Sequence, residues 1–358
     1  MTSGAGYYHR GLKKLSERKV AAAIANFNLA ESLGMDRDSC SAQRWYCWML
    51  AGEFEKAWIE SDAIAARSAP SPPCLWDGRP LAGTDVIVRS LHGYGDAIQF
   101  ARYLPLLKAQ ANRVMIEADP ALVCVFRDQE GVDDAFSWGE ETGVVERKWN
   151  QQIVIMELAR AFRTTIATIP RHVPYLNVPA HERRRFAFLR SIARPRVGLV
   201  WAASDWDSTR SIPVNLLQPI LELRNISFFS IQHGKHRSDL AHLRAPAHVH
   251  DTAEYCCRII DTAALIKQLD LVITVDTMVA HLAGALGIEV WTILQSNADW
   301  RWMLNRGDTP WYPTMRLFRQ KRPGRWDEPL AKIVRELRNL SAGGPWQSGS
   351  SRIQVINR

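Results

Sequence analysis

The stretch that decides the fold, residues 271–287, is LVITVDTMVAHLAGALG. Its first five residues form an apolar, largely β-branched run, as in a strand that is buried on both faces. From residue 279 to 286, small and apolar residues predict a helix. Asp276 and Thr277 occupy the turn between the two. Strand, turn and helix in this order are the repeating unit of a doubly wound parallel sheet.

The same rhythm occurs on both sides of a basic stretch at residues 182–196. We predict a first lobe over residues 81–185, with strands at 85–91, 113–117 and 153–156 and helices at 97–109 and 122–127. We predict a second lobe over residues 186–340, with strands at 197–201, 227–232, 271–275 and 290–294 and helices at 216–223, 263–268, 279–286 and 330–340. Two such lobes enclose a cleft at the carboxyl ends of their strands, where these folds bind ligands.

The N-terminal region, residues 1–69, is expected to be helical and repetitive. A shift of 34 residues, the period of the tetratricopeptide repeat, superimposes Arg10 on Arg44 and Ala23 on Ala57. Two repeats are too few for a long peptide-binding superhelix, so we expect them to pack on the neighbouring domain or to mediate self-association. Residues 70–80 are predicted to be a proline-rich linker, and residues 341–358 a disordered tail.

Composition restricts the class of protein. The 358 residues carry a formal net charge of +8, and the six cysteines show no C-x-x-C spacing. These features predict free thiols rather than a zinc site or a disulfide framework. We find no signal peptide and no apolar run of about 18 residues, and therefore expect a soluble, cytoplasmic chain. Nucleic-acid motifs are absent, so the basic charge favours a phosphorylated small molecule, or peripheral contact with an anionic membrane or glycolipid surface.

A first candidate site is His92-Gly93-Tyr94-Gly95-Asp96, where the first strand turns into a helix. Gly93 and Gly95 let backbone approach a ligand closely. Asp96 is either a general base for a hydroxyl or only a cap of the helix. Ile98 stands where a dinucleotide-binding fingerprint requires its third glycine, which disfavours a dehydrogenase.

A second candidate site consists of Asp276, Thr277 and His281. The amides at the start of this helix suit a diphosphate, and Thr277 and His281 share one helix face. A capped helix with a satisfied histidine explains the same residues equally well.

The loop after the first strand of the second lobe is a third candidate. Asp205-Trp206-Asp207 imitates a metal-binding D-x-D triplet, but we interpret it as a solvated loop. Arg210 is suited to clamp a phosphate with paired hydrogen bonds. Ser204 lies in the same loop, and Gln232, at the end of the next strand, is expected to point toward the same cleft.

These motifs together resemble a known family. GYGDAIQFARYLP (93–105), VGLVWA (197–202), RSIP (210–213), SIQHG (230–234), DTAALI (261–266), VDTMVAHLAGALG (275–287), DWRW (299–302) and PWYPTMRLFRQ (310–320) are similar to tetratricopeptide-repeat proteins whose C-terminal part resembles ADP-heptose:lipopolysaccharide heptosyltransferases. That family is glycosyltransferase family nine, of GT-B fold. The resemblance covers about residues 75–340.

The resemblance implies roles for the candidate residues. Asp96 matches the base aspartate of the heptosyltransferases, which puts the acceptor on the first lobe. Their donor-binding residues match Asp276, Thr277 and His281 on the second lobe. Arg210 lies where those enzymes have a lysine, and Gln232 where they have a glutamate, so ADP-heptose is not implied as the donor. We count Gly93, Gly95 and Ser204 with the donor-binding residues.

We therefore expect an inverting, metal-independent glycosyltransferase that needs no cofactor. A nucleotide-diphosphate sugar is the expected donor, and the acceptor is a hydroxyl of a glycan, a lipopolysaccharide or a protein. The alternative is a non-catalytic scaffold, in which the helical repeats recruit a protein partner and the two lobes at most sense a sugar nucleotide.

Overall fold

A computed structural model describes residues 3–68, 74–138, 148–243 and 249–342. The chain forms two compact units. The helical unit comprises Met1–Arg79, Glu157–Ile169 and Asn297–Arg306, and the α/β unit comprises Pro80–Met156, Pro170–Ser296 and Gly307–Arg358. Most of the predicted tail and residues 70–73 of the predicted linker lie outside the described residues.

Four helices begin the helical unit: α1 (Gly4–Ser16), α2 (Val20–Ser32), α3 (Arg37–Ala51) and α4 (Phe54–Arg67). The side chain of Asp36 caps α3 by accepting from the amide of Ser39 at 2.7 Å, and Gly52 ends it with a φ of 80° that favours glycine. Helices α1 and α2 meet where the ring of Phe27 lies on Gly11. The four helices agree with the expected helical region, while its assignment to the tetratricopeptide repeat stays a prediction.

Two later segments pack on these four helices. The indole of Trp58 donates to the carbonyl oxygen of Thr164 at 2.7 Å, and Arg160 pairs with Asp62 at 2.9 Å. From the other segment, Trp300 meets Trp45 edge-to-face, with 5.6 Å between ring centroids. The helical unit is thus assembled from three separate parts of the chain, which the sequence patterns did not indicate.

The α/β unit contains two separate sheets, both parallel. The first has the order β3-β2-β1-β4 and the second the order β10-β9-β8-β5-β6-β7. The strands of the first are β1 (Asp85–Arg89), β2 (Arg113–Ala118), β3 (Asp134–Ser137) and β4 (Gln151–Val154). Those of the second are β5 (Arg196–Val200), β6 (Ser227–Ser230), β7 (Val249–Asp251), β8 (Leu271–Val275), β9 (Glu289–Leu294) and β10 (Met315–Arg319). The predicted fold class, two doubly wound lobes after a helical region, is confirmed.

Helices cover these sheets. They are α5 (Tyr94–Phe100), α6 (Leu104–Lys108), α7 (Pro120–Phe126), α9 (Ala180–Arg184), α10 (Gln218–Leu221), α11 (Ile259–Ile266), α12 (Met278–Ala285) and α13 (Asp327–Ala342), while α8 (Leu158–Ala161) belongs to the helical unit. Every residue of β5 and β8 is buried, as expected for strands covered on both faces. On α13, Leu330, Ile333 and Leu337 lie in the core of the second sheet at helical spacing.

Strand order locates the positions where ligands bind in such folds. In the second sheet, β5, β6 and β7 follow one another in one direction and β8, β9 and β10 in the other. The reversal lies between β5 and β8, so the loops after these two strands leave the sheet side by side at its carboxyl edge. A doubly wound sheet binds its ligand at this point.

Several local predictions need correction. The single helix expected at residues 97–109 is divided into α5, a short 3₁₀ turn and α6, and Pro105 in the first turn of α6 lacks the amide that a continuous helix needs. Pro219 has the same position in the short α10. The unpredicted strands β3, β7 and β10 are all edge strands, whose apolar signal is weak because one side lacks a neighbouring strand.

Among the described residues, no helix is both long enough and apolar enough to cross a membrane.

Replacing Gly11 by alanine tests the packing of α1 on α2. A methyl group at Gly11 would lie 2.5 Å from the ring of Phe27, which is fully buried. Overpacking of this kind costs about 1–3 kcal/mol, so the urea midpoint of the helical unit should fall. The exposed Lys13→Ala on the same helix is the control and should leave the midpoint nearly unchanged. Equal midpoints for both variants would contradict this packing.

Candidate functional site

The junction between β8 and α12 is built as a helix start. Thr277 is the N-cap of α12 with an extended backbone, and its hydroxyl accepts from the amide of Val279 at 3.3 Å. The hydroxyl of the buried Thr274 lies 3.2 Å from that of Thr277 and fixes it in place. Because the first amides of a helix lack partners within it, this turn presents donors and a positive partial charge at the reversal point of the sheet.

Arg210 ties the loop after β5 to this turn. Its guanidinium donates to the carbonyl oxygen of Asp276 at 3.1 Å, and its Nε lies 3.6 Å from the carboxylate of Asp207. Asp207 also accepts from Gln295, which directly follows β9, at 2.9 Å. The β5 loop therefore crosses the end of β8 and reaches the end of β9.

The expectation of a solvated loop is thus wrong for Asp207. Burial acts to raise the pKa of its carboxyl, but hydrogen bonds from Thr209 and Gln295 outweigh burial and hold this pKa below its ordinary value. The ionised Asp207 carboxylate holds the loop in place through these hydrogen bonds. The expectation is right for Trp206, whose side chain is 88% exposed.

Gln232 uses its whole amide within the protein. Its oxygen accepts from the amides of Trp201 and Ala202 at 3.1 and 2.9 Å, and its nitrogen donates to the carbonyls of Ala202 and His233 at 3.2 and 3.0 Å. These four bonds exhaust the capacity of a primary amide. Gln232 therefore shapes the exit of β5, whereas Ser204, the exposed N-cap residue of the following 3₁₀ turn, lies at the surface.

On the first lobe, Asp96 lies in the first turn of α5. Gly93 is the N-cap residue of this helix, and a side chain there would meet the Asp96 carboxylate at 3.6 Å. Asp96 is half-buried. Its position in the helix start that follows β1 agrees with that predicted.

The two helix starts meet directly. The ring of His281, one turn into α12, lies so close to Gly95 that a methyl group on Gly95 would be 2.8 Å from the His281 Cδ2 atom. His281 is buried, and its Nδ1 atom lies 2.9 Å from the hydroxyl of Tyr312. Burial raises the pKa of the Tyr312 phenol well above its ordinary value, so the hydroxyl keeps its proton at neutral pH. Candidate residues of the two lobes are thus in contact.

A buried arginine joins the lobes just behind this contact. Arg102 is 2% exposed and donates to the carbonyl oxygens of Gln99 and Trp311 and, at 3.1 Å, to the hydroxyl of Tyr175. The guanidinium carbon also lies 4.7 Å from the ring centroid of Tyr175 and 4.6 Å from that of Tyr312. Within the described residues, no carboxylate pairs with Arg102, so carbonyl dipoles and ring faces stabilise its charge.

The segment that connects the lobes completes this junction. The Tyr175 amide donates to the carbonyl of Ala285 at the end of α12, and its hydroxyl donates to the carbonyl of Ile98 in α5. Gly284 lets the ring of Tyr312 lie on α12, since a methyl group there would be 2.5 Å from that ring.

The structure thus divides the predicted site residues into groups. Gly95 meets His281, with Asp96 beside Gly95 in the same turn, while Asp276 and Thr277 lie at the start of α12 with Arg210. Gln232 uses its side-chain amide for hydrogen bonds to backbone groups. Sequence reasoning missed Arg102, Tyr175 and Tyr312. The sequence did contain one indication of Arg102, which is a charged residue inside the largely apolar run QFARYLP. A buried charge in such a run needs polar partners in the interior.

Comparisons with known proteins agree with this architecture. Heptosyltransferase II of E. coli, an ADP-heptose lipopolysaccharide heptosyltransferase, superimposes with a TM-score of 0.54 at 13% identity, over 71% of this chain and 98% of that one. A family 9 glycosyl transferase from Veillonella parvula superimposes with a TM-score of 0.54 at 8% identity, over 78% and 99%. At these identities the likeness shows the GT-B fold.

By sequence, the chain is 22% identical to the protein FlbA of Caulobacter vibrioides over 94% of its own length. It spans 61% of the length of that relative. No protein-family profile matches the chain.

Two glycines in one turn provide a matched test of the contact between the lobes. Gly95→Ala would push a methyl group into the ring of His281, which Tyr312 holds in place, and should cost about 1–3 kcal/mol. Gly93→Ala is the control, because its methyl group would make only ordinary contact and its backbone φ of −62° suits alanine. Thermal unfolding should show a lower melting temperature for Gly95→Ala. Similar melting temperatures for both variants would show that α5 and α12 are not in contact.

Proposed function

We propose that the chain is an inverting, metal-independent glycosyltransferase that uses a nucleotide-diphosphate sugar. The observation that carries this proposal is the packing of two helix starts, of which α5 bears the Asp96 carboxylate and α12 bears the amides of its first turn beside Arg210. A base and an anion site on adjoining helices are the two parts that sugar transfer from a diphosphate requires. The GT-B fold supports the same class of reaction.

The proposed reaction is a single displacement. Asp96 accepts the proton of the acceptor hydroxyl as the acceptor oxygen bonds to the anomeric carbon. The bond between that carbon and the diphosphate oxygen breaks on the opposite face, so the configuration inverts. A general base of this kind typically contributes about 10²–10⁴-fold to the rate.

The departing diphosphate carries the charge that develops in this reaction. In our proposal, it lies on the amides at the start of α12, next to Thr277. Arg210, held at this turn by the Asp276 carbonyl, supplies positive charge from the β5 loop. Fixed amides and a guanidinium stabilise such charge without a metal ion, because they are already oriented before the reaction begins.

Some residues that the sequence analysis counted as donor-binding receive structural roles in this proposal. Gly95 admits the His281 ring, and His281 joins the two lobes at the edge of the site. Gln232 and Asp207 hold the loop that carries Arg210. Nothing in these contacts selects one sugar, so the donor is proposed only as a nucleotide-diphosphate sugar and the acceptor as a hydroxyl of a glycan, lipopolysaccharide or protein.

Asp96→Asn tests the proposed base. Asparagine keeps the size of the side chain and much of its capping ability but removes the basic carboxylate. Turnover should therefore fall by about 10²-fold or more with little change in donor affinity. The measurement is transfer per folded molecule with a panel of nucleotide sugars, together with calorimetry of nucleotide binding.

Two other results would change the assignment. Asp96→Asn that lowers the melting temperature but leaves transfer per folded molecule unchanged would make Asp96 a helix cap only. Wild-type protein that transfers no sugar from any donor would favour the non-catalytic scaffold, in which the helical unit recruits a partner.

A further inference from the structure

Trp206 is an unusual surface residue. At 88% exposed, it is the most accessible of the large apolar side chains in the described part of the chain. An indole is a large apolar surface that folding normally removes from water, with its N–H bonded at one edge. A tryptophan that is left open in this way at the carboxyl edge of a parallel sheet is suited to contact a ligand.

The loop under Trp206 is held firmly on both sides. Asp207 accepts from the side-chain amide of Gln295 at 2.9 Å, and the hydroxyl oxygen of Thr209 lies 2.6 Å from the oxygen of the same amide. On the other side, Arg210 is fixed to the Asp276 carbonyl. The backbone that carries Trp206 is therefore held in place before any ligand arrives, which lowers the entropic cost of binding.

Arg210 relates the ring to the anion site. Its guanidinium carbon lies 5.6 Å from the centroid of Trp206, and the same guanidinium donates to the residue that precedes the cap of α12. The ring is thus separated from the proposed diphosphate site by the width of one guanidinium group. A nucleoside diphosphate places a flat aromatic base at the far end of its ribose, and every base has a face that stacks on an indole.

The direction of the donor follows from Asp96. The anomeric carbon has to face Asp96 on α5, and the diphosphate separates the sugar from the nucleoside. The base is then the part of the donor farthest from Asp96, on the side of the second lobe. Trp206 and the strands that anchor its loop all belong to that lobe.

We propose that Trp206 is the stacking platform for the nucleobase of the donor. This assignment rests on the proposed function, since it requires a nucleoside diphosphate at the start of α12. A single stacking face favours ligands that carry a flat base over ligands that have none, but it does not distinguish one nucleobase from another. Trp206 is thereby a donor-binding residue that touches the nucleoside and not the reacting atoms.

Calorimetry with inorganic pyrophosphate and with ADP, UDP and GDP tests this assignment on the full chain. Trp206→Ala should weaken the tightest-binding nucleoside diphosphate by about 10-fold or more, because one base–aromatic stack is lost. Pyrophosphate has no base, so its affinity should be the same in the variant and in the wild type. Trp206→Phe should restore most of the nucleotide affinity, because a smaller aromatic face remains.

Trp138→Ala is the matched control, since Trp138 is also an exposed tryptophan but follows β3 on the first lobe. It should leave both affinities unchanged. Nucleotide affinity that survives Trp206→Ala would overturn the stack and leave the proposed function intact. A joint loss of pyrophosphate and nucleotide affinity would also overturn it, because Trp206 would then support the loop and not the base. If neither pyrophosphate nor any nucleotide binds the wild type, the proposed function fails together with the stack.

Discussion

The contact of α5 with α12 is the constraint on which the α/β unit depends. It requires the absence of a side chain at Gly95, where the ring of His281 lies on the backbone. The ring of Tyr312, whose hydroxyl contacts His281, lies on Gly284 of α12 in the same way. Both lobes begin a helix at this place, directly after a buried strand. Residues far apart in sequence thereby share one small region, and the candidate base and the candidate anion site are adjacent for this reason.

Arg102 gives this contact a particular electrostatic character. An unpaired charge in a protein interior is costly, and carbonyl oxygens, a phenol hydroxyl and ring faces from both lobes share the task of stabilising it. A guanidinium does not lose its proton in proteins, and a carbonyl does not titrate. Arg102 and its carbonyl partners therefore keep the same charges over the pH range in which a carboxylate or a histidine would titrate.

Sequence patterns were sufficient for the central strands and for the fold class. β8 was predicted with its full extent because all five residues are buried and apolar or β-branched, and α12 was predicted within one residue at each end. The edge strand β7, only three residues long, carries too little apolar signal to be recognised. Asp96 and Thr277 were placed on the correct elements because strand ends and helix starts have local sequence rules.

Sequence patterns did not predict the contacts between residues that are far apart in the chain. The four hydrogen bonds of Gln232 depend on the exit path of β5, and the partners of Arg102 come from residues as distant as Trp311. A sequence shows that an arginine stands in an apolar run, but not which ring faces will surround it.

The discontinuous helical unit has a consequence for how the protein is made. Synthesis proceeds from the N-terminus, and domains generally fold as their residues emerge. Helices α1 to α4 are translated before residues 297–306, so Trp45 contacts Trp300, and Leu50 accepts from the amide of Leu304, only after those residues have been made. Until then these helices expose the apolar surface that those residues will cover. These helices are thus synthesised well before the residues that complete their packing.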